Sequence, residues 1–243
     1  MVNSSHQLTG VAAIESALKQ GQALQLILIQ KDTSDPAVLR LRERAEKEGL
    51  PLRLASANDL RRMSRVSPPA PALALVGRNP NADAEDVLAE PGLLWLLAGV
   101  QYPSNVGFIL RTVEVTGAQG VFVDAPFSRR DRIRSLRISI RADRFLPIFW
   151  QNSAQVIEAA RRHARPIYAV ETTGAVAPWE VDLSGRPLLI VGGERDGIPT
   201  EILTACDATI RIPTPGFIPS LNVQASVSAI ACERLRQLAE SSA

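Results

Sequence analysis

From Leu93 onward, short apolar runs alternate with stretches of helical periodicity, and this alternation restricts the chain to a mainly parallel sheet covered on both faces by helices. Strands are predicted at 93–99, 119–124, 166–171, 187–192 and 208–212, and helices at 105–117, 152–164, 199–205 and 221–240. No internal repeat and no low-complexity tract interrupts the pattern.

The first 78 residues read as a separate, smaller α/β unit. Val11, Ile14, Ala17 and Leu18 recur at the spacing of an amphipathic helix over 10–19, and LQLILIQ at 24–30 is a buried strand. A second helix is predicted over 36–48, with Asp35 as N-cap, Pro36 in the first turn and Gly49 as the stop. A short strand at 51–55, a short helix at 57–64, the breaker SPPAP at 67–71 and a strand at 73–76 complete the unit. Residues 79–92, with four acids, no base and several turn formers, read as a linker, leaving 93–243 as the second domain.

With 243 residues, 46% hydrophobic and 21% charged, the composition is that of a globular protein with a sizeable core. The longest apolar run, Gly92 to Val100, is far short of the roughly 18 residues a membrane span needs. MVNSSHQLTG lacks a basic stretch followed by an apolar one, so no secretory signal is visible and a cytoplasmic location is expected. Cys206 and Cys232 lack metal-type spacing, and His6 and His163 stand alone. Buried structural thiols are expected, and no metal.

The net charge of +2 conceals a local concentration of arginine. Arg129, Arg130, Arg132, Arg134, Arg137, Arg141 and Arg144 face only Asp131 and Asp143, a local excess of five positive charges. Elsewhere in 95–243 nine arginines meet twelve acids. The segment therefore points to an anionic partner, with phosphate contacts to RNA as the expected role.

Three glycine-containing loops follow strands of the second domain, where an open α/β sheet binds its ligand. QYPSNVGFILRTVEVTGAQGVFV, 101–123, places Asn105 as a helix cap and Arg111 within the helix. In LLIVGGERDGIP, 188–199, Gly192 and Gly193 admit a close backbone approach to a ligand. This loop is neither a Walker loop nor the GxGxxG fingerprint, which argues against a nucleotide-dependent oxidoreductase. IPTPGFIPSLNVQASVSAIACE, 212–233, is a proline-stiffened loop feeding a helix of small residues, with Ser220 as its expected cap. Taken singly, each loop has an ordinary structural explanation.

In this order and spacing the three loops resemble the motifs of the SpoU (TrmH) branch of the SPOUT methyltransferases: Asn-x-Gly followed by Arg, Gly-x-Glu-x-x-Gly, and Ile-Pro followed by Ser-Leu-Asn-Val. The resemblance spans about 95–240 and implies an α/β fold with a deep C-terminal trefoil knot, which general topology rules disfavour. It implies S-adenosylmethionine as cofactor, held around Gly192, Gly193, Gly197, Ile212, Leu221 and Asn222, with Glu171, Thr172 and Thr173 alongside. It also implies ribose 2′-O-methylation of RNA, with Arg111 beside the hydroxyl and Asn105, Glu194, Ser220 and Asn222 orienting the nucleophile and loops. Relatives are commonly homodimers that bury the C-terminal helix.

Two departures stand out: Arg141 occupies the glycine of a family Arg-x-Ser-x-Gly stretch, and Ala70-Pro71-Ala72 replaces a His-Gln-Gly sequence. Residues 5–76 resemble the L30e-like RNA-binding domain of ribosomal-RNA members, so ribosomal RNA is the expected partner. The alternative is a catalytically inactive knot-fold protein that binds RNA or assists ribosome assembly, a reading that Gln224 and Arg141 leave open.

Overall fold

The computed structural model describes residues 6–241, so the MVNSS reading lies outside the described residues. The chain divides into two compact units between Asn79 and Pro80.

The first unit follows the order β1 (Gln7–Thr9), α1 (Val11–Lys19), β2 (Leu24–Gln30), α2 (Pro36–Lys47), β3 (Leu52–Ala55), α3 (Ala57–Met63) and β4 (Ala72–Val76). Its sheet runs β1-β4-β2-β3, with β2 parallel to β3 and antiparallel to β4. Ile14, Ile27, Ile29, Val38 and Leu41 are fully buried between sheet and helices. Asp35 caps α2 by accepting from the Ala37 amide at 2.8 Å, and Gly49 follows the helix with φ of 66°, as the sequence predicts. The three-residue β1 carries too few residues to show a period, and sequence reasoning missed it.

The second unit begins with α4 (Ala84–Ala89), inside the segment expected to be a linker. Val87 and Leu88 are buried in the core, and the acids around them occupy the helix's exposed face. Arg165, 3% exposed, closes the C-terminal end of α4 by donating to the carbonyls of Val87, Leu88, Glu90, Gly92 and Arg186. Burial lowers its pKa to about 10, so it remains a cation surrounded by five carbonyl oxygens.

The remaining elements are β5 (Leu94–Ala98), α5 (Pro103–Val115), β6 (Gly120–Asp124), α6 (Arg129–Ile138), β7 (Ile148–Phe149), α7 (Ser153–Arg162), β8 (Ile167–Val170), β9 (Leu188–Gly192), α8 (Thr200–Thr204), β10 (Ala208–Ile210) and α9 (Val223–Glu240). The sheet order is β10-β8-β9-β5-β6-β7, and every pairing is parallel. Side chains of β5 alternate between two cores: Trp95 and Leu97 meet α5 and α9, while Leu94, Leu96 and Ala98 meet α4, α7 and α8. Register pairs Ala98 with both Gly192 and Asp124, so the loops after β5, β9 and β6 leave one edge of the sheet.

The arginine-rich segment forms α6, which sequence reasoning left unassigned because charge swamps its apolar period. Ser128 caps it, accepting from the Asp131 amide at 3.2 Å. The helix lies against α5 at Gly107, where an added Cβ would approach Ile138 Cβ at 2.6 Å and the Ser135 carbonyl oxygen at 2.8 Å. The glycine of Asn-x-Gly therefore seats the basic helix. Downstream, Ile140 and Arg141 have φ of 56° and 62°, left-handed conformations that favour glycine, the residue that the family resemblance leads one to expect at the second position.

Cys206 is only partly buried; it donates to the Ile202 carbonyl, and burial pushes its thiol up to about 11. Cys232 is exposed, against the expectation of a buried thiol, because it sits on the outward face of α9. Among the described residues no helix is long and apolar enough to cross a membrane.

Candidate active site

The loops after β5, β9 and β10 are joined by side-chain hydrogen bonds. Asn105 Nδ2 donates to Glu194 Oε1 at 2.6 Å, and the Gln101 amide donates to Glu194 Oε2 at 2.9 Å. Asn222 Nδ2 donates to Asn105 Oδ1 at 3.4 Å, completing a chain from the second motif through the first to the third.

Asn105 is free for this because it is not the cap of α5. The helix starts two residues earlier, with Tyr102 at the N-cap and Pro103 supplying the first helical φ. Nor does Ser220 cap α9. The cap is Asn222, whose Oδ1 accepts from the Gln224 amide at 2.9 Å, because the proline-rich segment stays extended up to that residue. Gln224 Nε2 then reaches Thr112 Oγ1 at 3.2 Å and Ser228 Oγ at 2.8 Å, bracing α9 against α5.

The second motif owes its glycines to backbone packing. A Cβ on Gly192 would lie 2.2 Å from the Gly197 carbonyl carbon, and one on Gly193 would lie 2.5 Å from the Gly99 oxygen. The close approach expected toward a ligand is thus made to other loops. Gly197 has φ of 64° and exchanges hydrogen bonds with Gly193 at 3.1 and 3.2 Å. Glu171 ties β8 to this turn, accepting from the Ile198 amide at 3.2 Å and the Thr172 amide at 2.8 Å.

These loops enclose a cleft of about 360 Å³, within the range of small-molecule sites. Glu171, Thr172, Gly192, Gly193, Glu194, Gly197, Ile212, Ser220, Leu221 and Asn222 line it. Thr173 does not: it is exposed in the turn beyond β8, which bends away where Gly174 meets the backbone of Thr209 to Arg211. Asn105 reaches the cleft only through Glu194 and Asn222. Sequence reasoning missed Arg195 and Arg211, which also line it. Their signal was position alone, inside Gly-Gly-Glu-Arg and directly before Ile-Pro.

Arg111 is exposed on α5 and has no hydrogen-bond or ion-pair partner among the described residues. Six residues beyond Asn105, it lies about 240° around the helix and about 9 Å along it, so it stands outside the motif network. On α6, Arg129, Arg130, Arg132, Arg134 and Arg137 are exposed and likewise without ion pairs among the described residues, as is Arg144 beyond it. The Arg132 guanidinium lies 4.7 Å from the Trp150 ring centroid. Arg141 departs from the group, since Asp143 takes its Nε and Nη2 at 3.0 and 2.8 Å.

Comparison with known proteins matches both units. Residues 7–78 match the RNA 2′-O ribose methyltransferase substrate binding family, and residues 92–232 match the SpoU rRNA Methylase family. The chain is 25% identical over 250 residues to a 23S rRNA (guanosine-2′-O-)-methyltransferase RlmB of Xanthomonas axonopodis pv. citri, covering 98% of each chain. It is 27% identical over 243 residues to the RlmB of Escherichia coli K12, covering 96% of this chain and 99% of that one. An AdoMet-bound rRNA methyltransferase from Sinorhizobium meliloti shares the fold, with a TM-score of 0.60 at 21% identity over 96% of this chain and 87% of that one. The SpoU methyltransferase AviRb from Streptomyces viridochromogenes does so as well, with a TM-score of 0.59 at 23% identity over 97% of this chain and 90% of that one. With its three loops joined at one sheet edge and most of its length matched, the chain belongs to the SpoU rRNA Methylase family.

Proposed function

We propose that this protein transfers a methyl group from S-adenosylmethionine to a ribose 2′-hydroxyl of ribosomal RNA, a guanosine of 23S rRNA by analogy with its relatives. The observation that carries the reading is the hydrogen-bonded chain Glu194, Asn105, Asn222, which draws three motifs distant in sequence onto one cleft. The cleft fits the cofactor: Val170, Val191, Ile212 and Leu221 offer apolar surface beside polar loop backbone. When bound, S-adenosylmethionine supplies an electrophilic methyl group on a sulfonium centre.

Attack by the 2′-hydroxyl places negative charge on its oxygen. A guanidinium is a poor base because it stays protonated, so Arg111 acts by stabilising that developing charge and anchoring the neighbouring phosphate. Its exposure, with no partner among the described residues, leaves it free for substrate. Glu194, Asn105 and Asn222 hold the loops in register, and Ser220 orients the nucleophile. The α6 arginines contact RNA phosphates, the first unit recruits the RNA, and the protein acts in the cytoplasm. The reading includes the family's trefoil knot, supported by the all-parallel sheet and the convergence of its loops.

The same reading makes the protein a homodimer that covers α5 and α9. Phe108 and Val115, 49% and 66% exposed, are outward-facing apolar residues of α5. On α9, Arg234 is 7% exposed, and its Nε has no partner among the described residues. Sedimentation should show a dimer that Phe108→Glu splits; a monomeric wild-type chain overturns this part.

Incubation of the purified protein with methyl-labelled S-adenosylmethionine and 23S rRNA tests the activity. Label should appear as one 2′-O-methylated nucleotide, and Arg111→Ala should lower kcat by about 100-fold or more with the fold intact. RNA binding without transfer would identify an inactive RNA-binding or ribosome-assembly protein instead.

A further inference from the structure

We propose that Arg195 and Arg211 form an anion-binding pair that takes a phosphodiester of the RNA beside the methylated ribose. The inference rests on the cleft being the methyl-transfer site.

Four charged residues line the cleft: Glu171, Glu194, Arg195 and Arg211. Both carboxylates are engaged within the protein. Glu171 Oε1 accepts from the Thr172 amide and hydroxyl at 2.8 and 3.1 Å, and its Oε2 accepts from the Ile198 amide at 3.2 Å. Glu194 spends one oxygen on the Gln101 amide and the other on Asn105. Neither guanidinium has an ion pair or side-chain hydrogen bond among the described residues. The cleft is left with two uncommitted positive charges.

Their backbones are held. Arg195 lies within the turn closed by the reciprocal Gly193 and Gly197 hydrogen bonds, beside the anchored Glu194. Arg211 donates its amide to the Val176 carbonyl at 2.8 Å and is followed two residues later by Pro213. Two guanidiniums on constrained backbone present planar forks suited to the paired oxygens of a phosphate or carboxylate. Methyl transfer brings both anions, the carboxylate of the cofactor's methionyl group and the phosphodiester of the substrate. Both arginines are exposed, as a contact with a large polyanion requires, and this favours the phosphodiester.

The test compares wild type with Arg195→Ala, Arg211→Ala and the double variant, using calorimetric binding of S-adenosylmethionine alone and binding of a 23S rRNA fragment across a salt series. Cofactor Kd should stay within about twofold, while RNA affinity falls and its salt slope becomes shallower by about 0.7 to 1 per arginine removed. KM for RNA should rise with kcat largely retained. Lysine at either position should restore the salt slope with only part of the affinity. Weakened cofactor binding with an unchanged RNA salt slope would assign the pair to the carboxylate and overturn the proposal, as would no change in either titration. A wild-type chain that transfers no methyl defeats the enzyme reading separately, because the RNA titrations still report on the arginines.

Discussion

Asn105 and Glu194, 89 residues apart in sequence, meet through a 2.6 Å hydrogen bond from the Asn105 amide nitrogen to a Glu194 carboxylate oxygen. The other carboxylate oxygen holds the Gln101 amide, so both oxygens face donors. Glu194→Gln would turn an NH₂ toward one of them. We expect a loss of about 1 to 2 kcal/mol in stability and a fall in methyl transfer of at least tenfold, read by thermal denaturation and single-turnover kinetics. An unchanged rate would remove Glu194 from the proposed machinery.

Asn222 and Ser220 separate two roles, of which sequence alone assigned one, the cap of α9, to the wrong residue. Asn222→Ala removes the α9 cap and the link to Asn105, and should cost about 1 kcal/mol. Ser220→Ala should leave the melting temperature unchanged while affecting activity, since Ser220 lines the cleft without capping the helix. Equal destabilisation by the two variants would contradict this division.

Arg141 occupies a left-handed backbone conformation that disfavours side chains, with φ of 62°. Arg141→Gly should relieve about 1 kcal/mol of strain, offset by about 0.5 kcal/mol for the half-exposed pair with Asp143. A small net gain in stability, with unchanged affinity for RNA, is the expected result of chemical denaturation and filter binding. A marked loss of RNA affinity would return Arg141 to the binding surface.

Arg165→Met should destabilise the second unit by about 3 kcal/mol, because removing the guanidinium strands several buried carbonyls at the end of α4. Hydrogen exchange would show the release of α4 first. Protection of Val87 and Leu88 amides equal to wild type would refute the assignment of Arg165 as its anchor.

The sequence by itself determined what is local or periodic. Apolar runs marked β2, β5, β6, β8 and β9, Asp35 and Gly49 bounded α2, and the three motifs in order announced the family, because strands, caps and tight turns are written in neighbouring residues. Tertiary structure decided what depends on contacts between distant segments. It moved the cap of α5 from Asn105, whose side chain has partners across the fold, to Tyr102, and that of α9 from Ser220 to Asn222, where the proline-rich segment ends. It turned a linker into α4 by burying Val87 and Leu88, and it spent the glycines of the second motif on backbone packing. Which charges stay free to bind was also invisible beforehand: only folding shows that Glu171, Glu194 and Asp143 have partners while the Arg111, Arg195 and Arg211 side chains have none among the described residues.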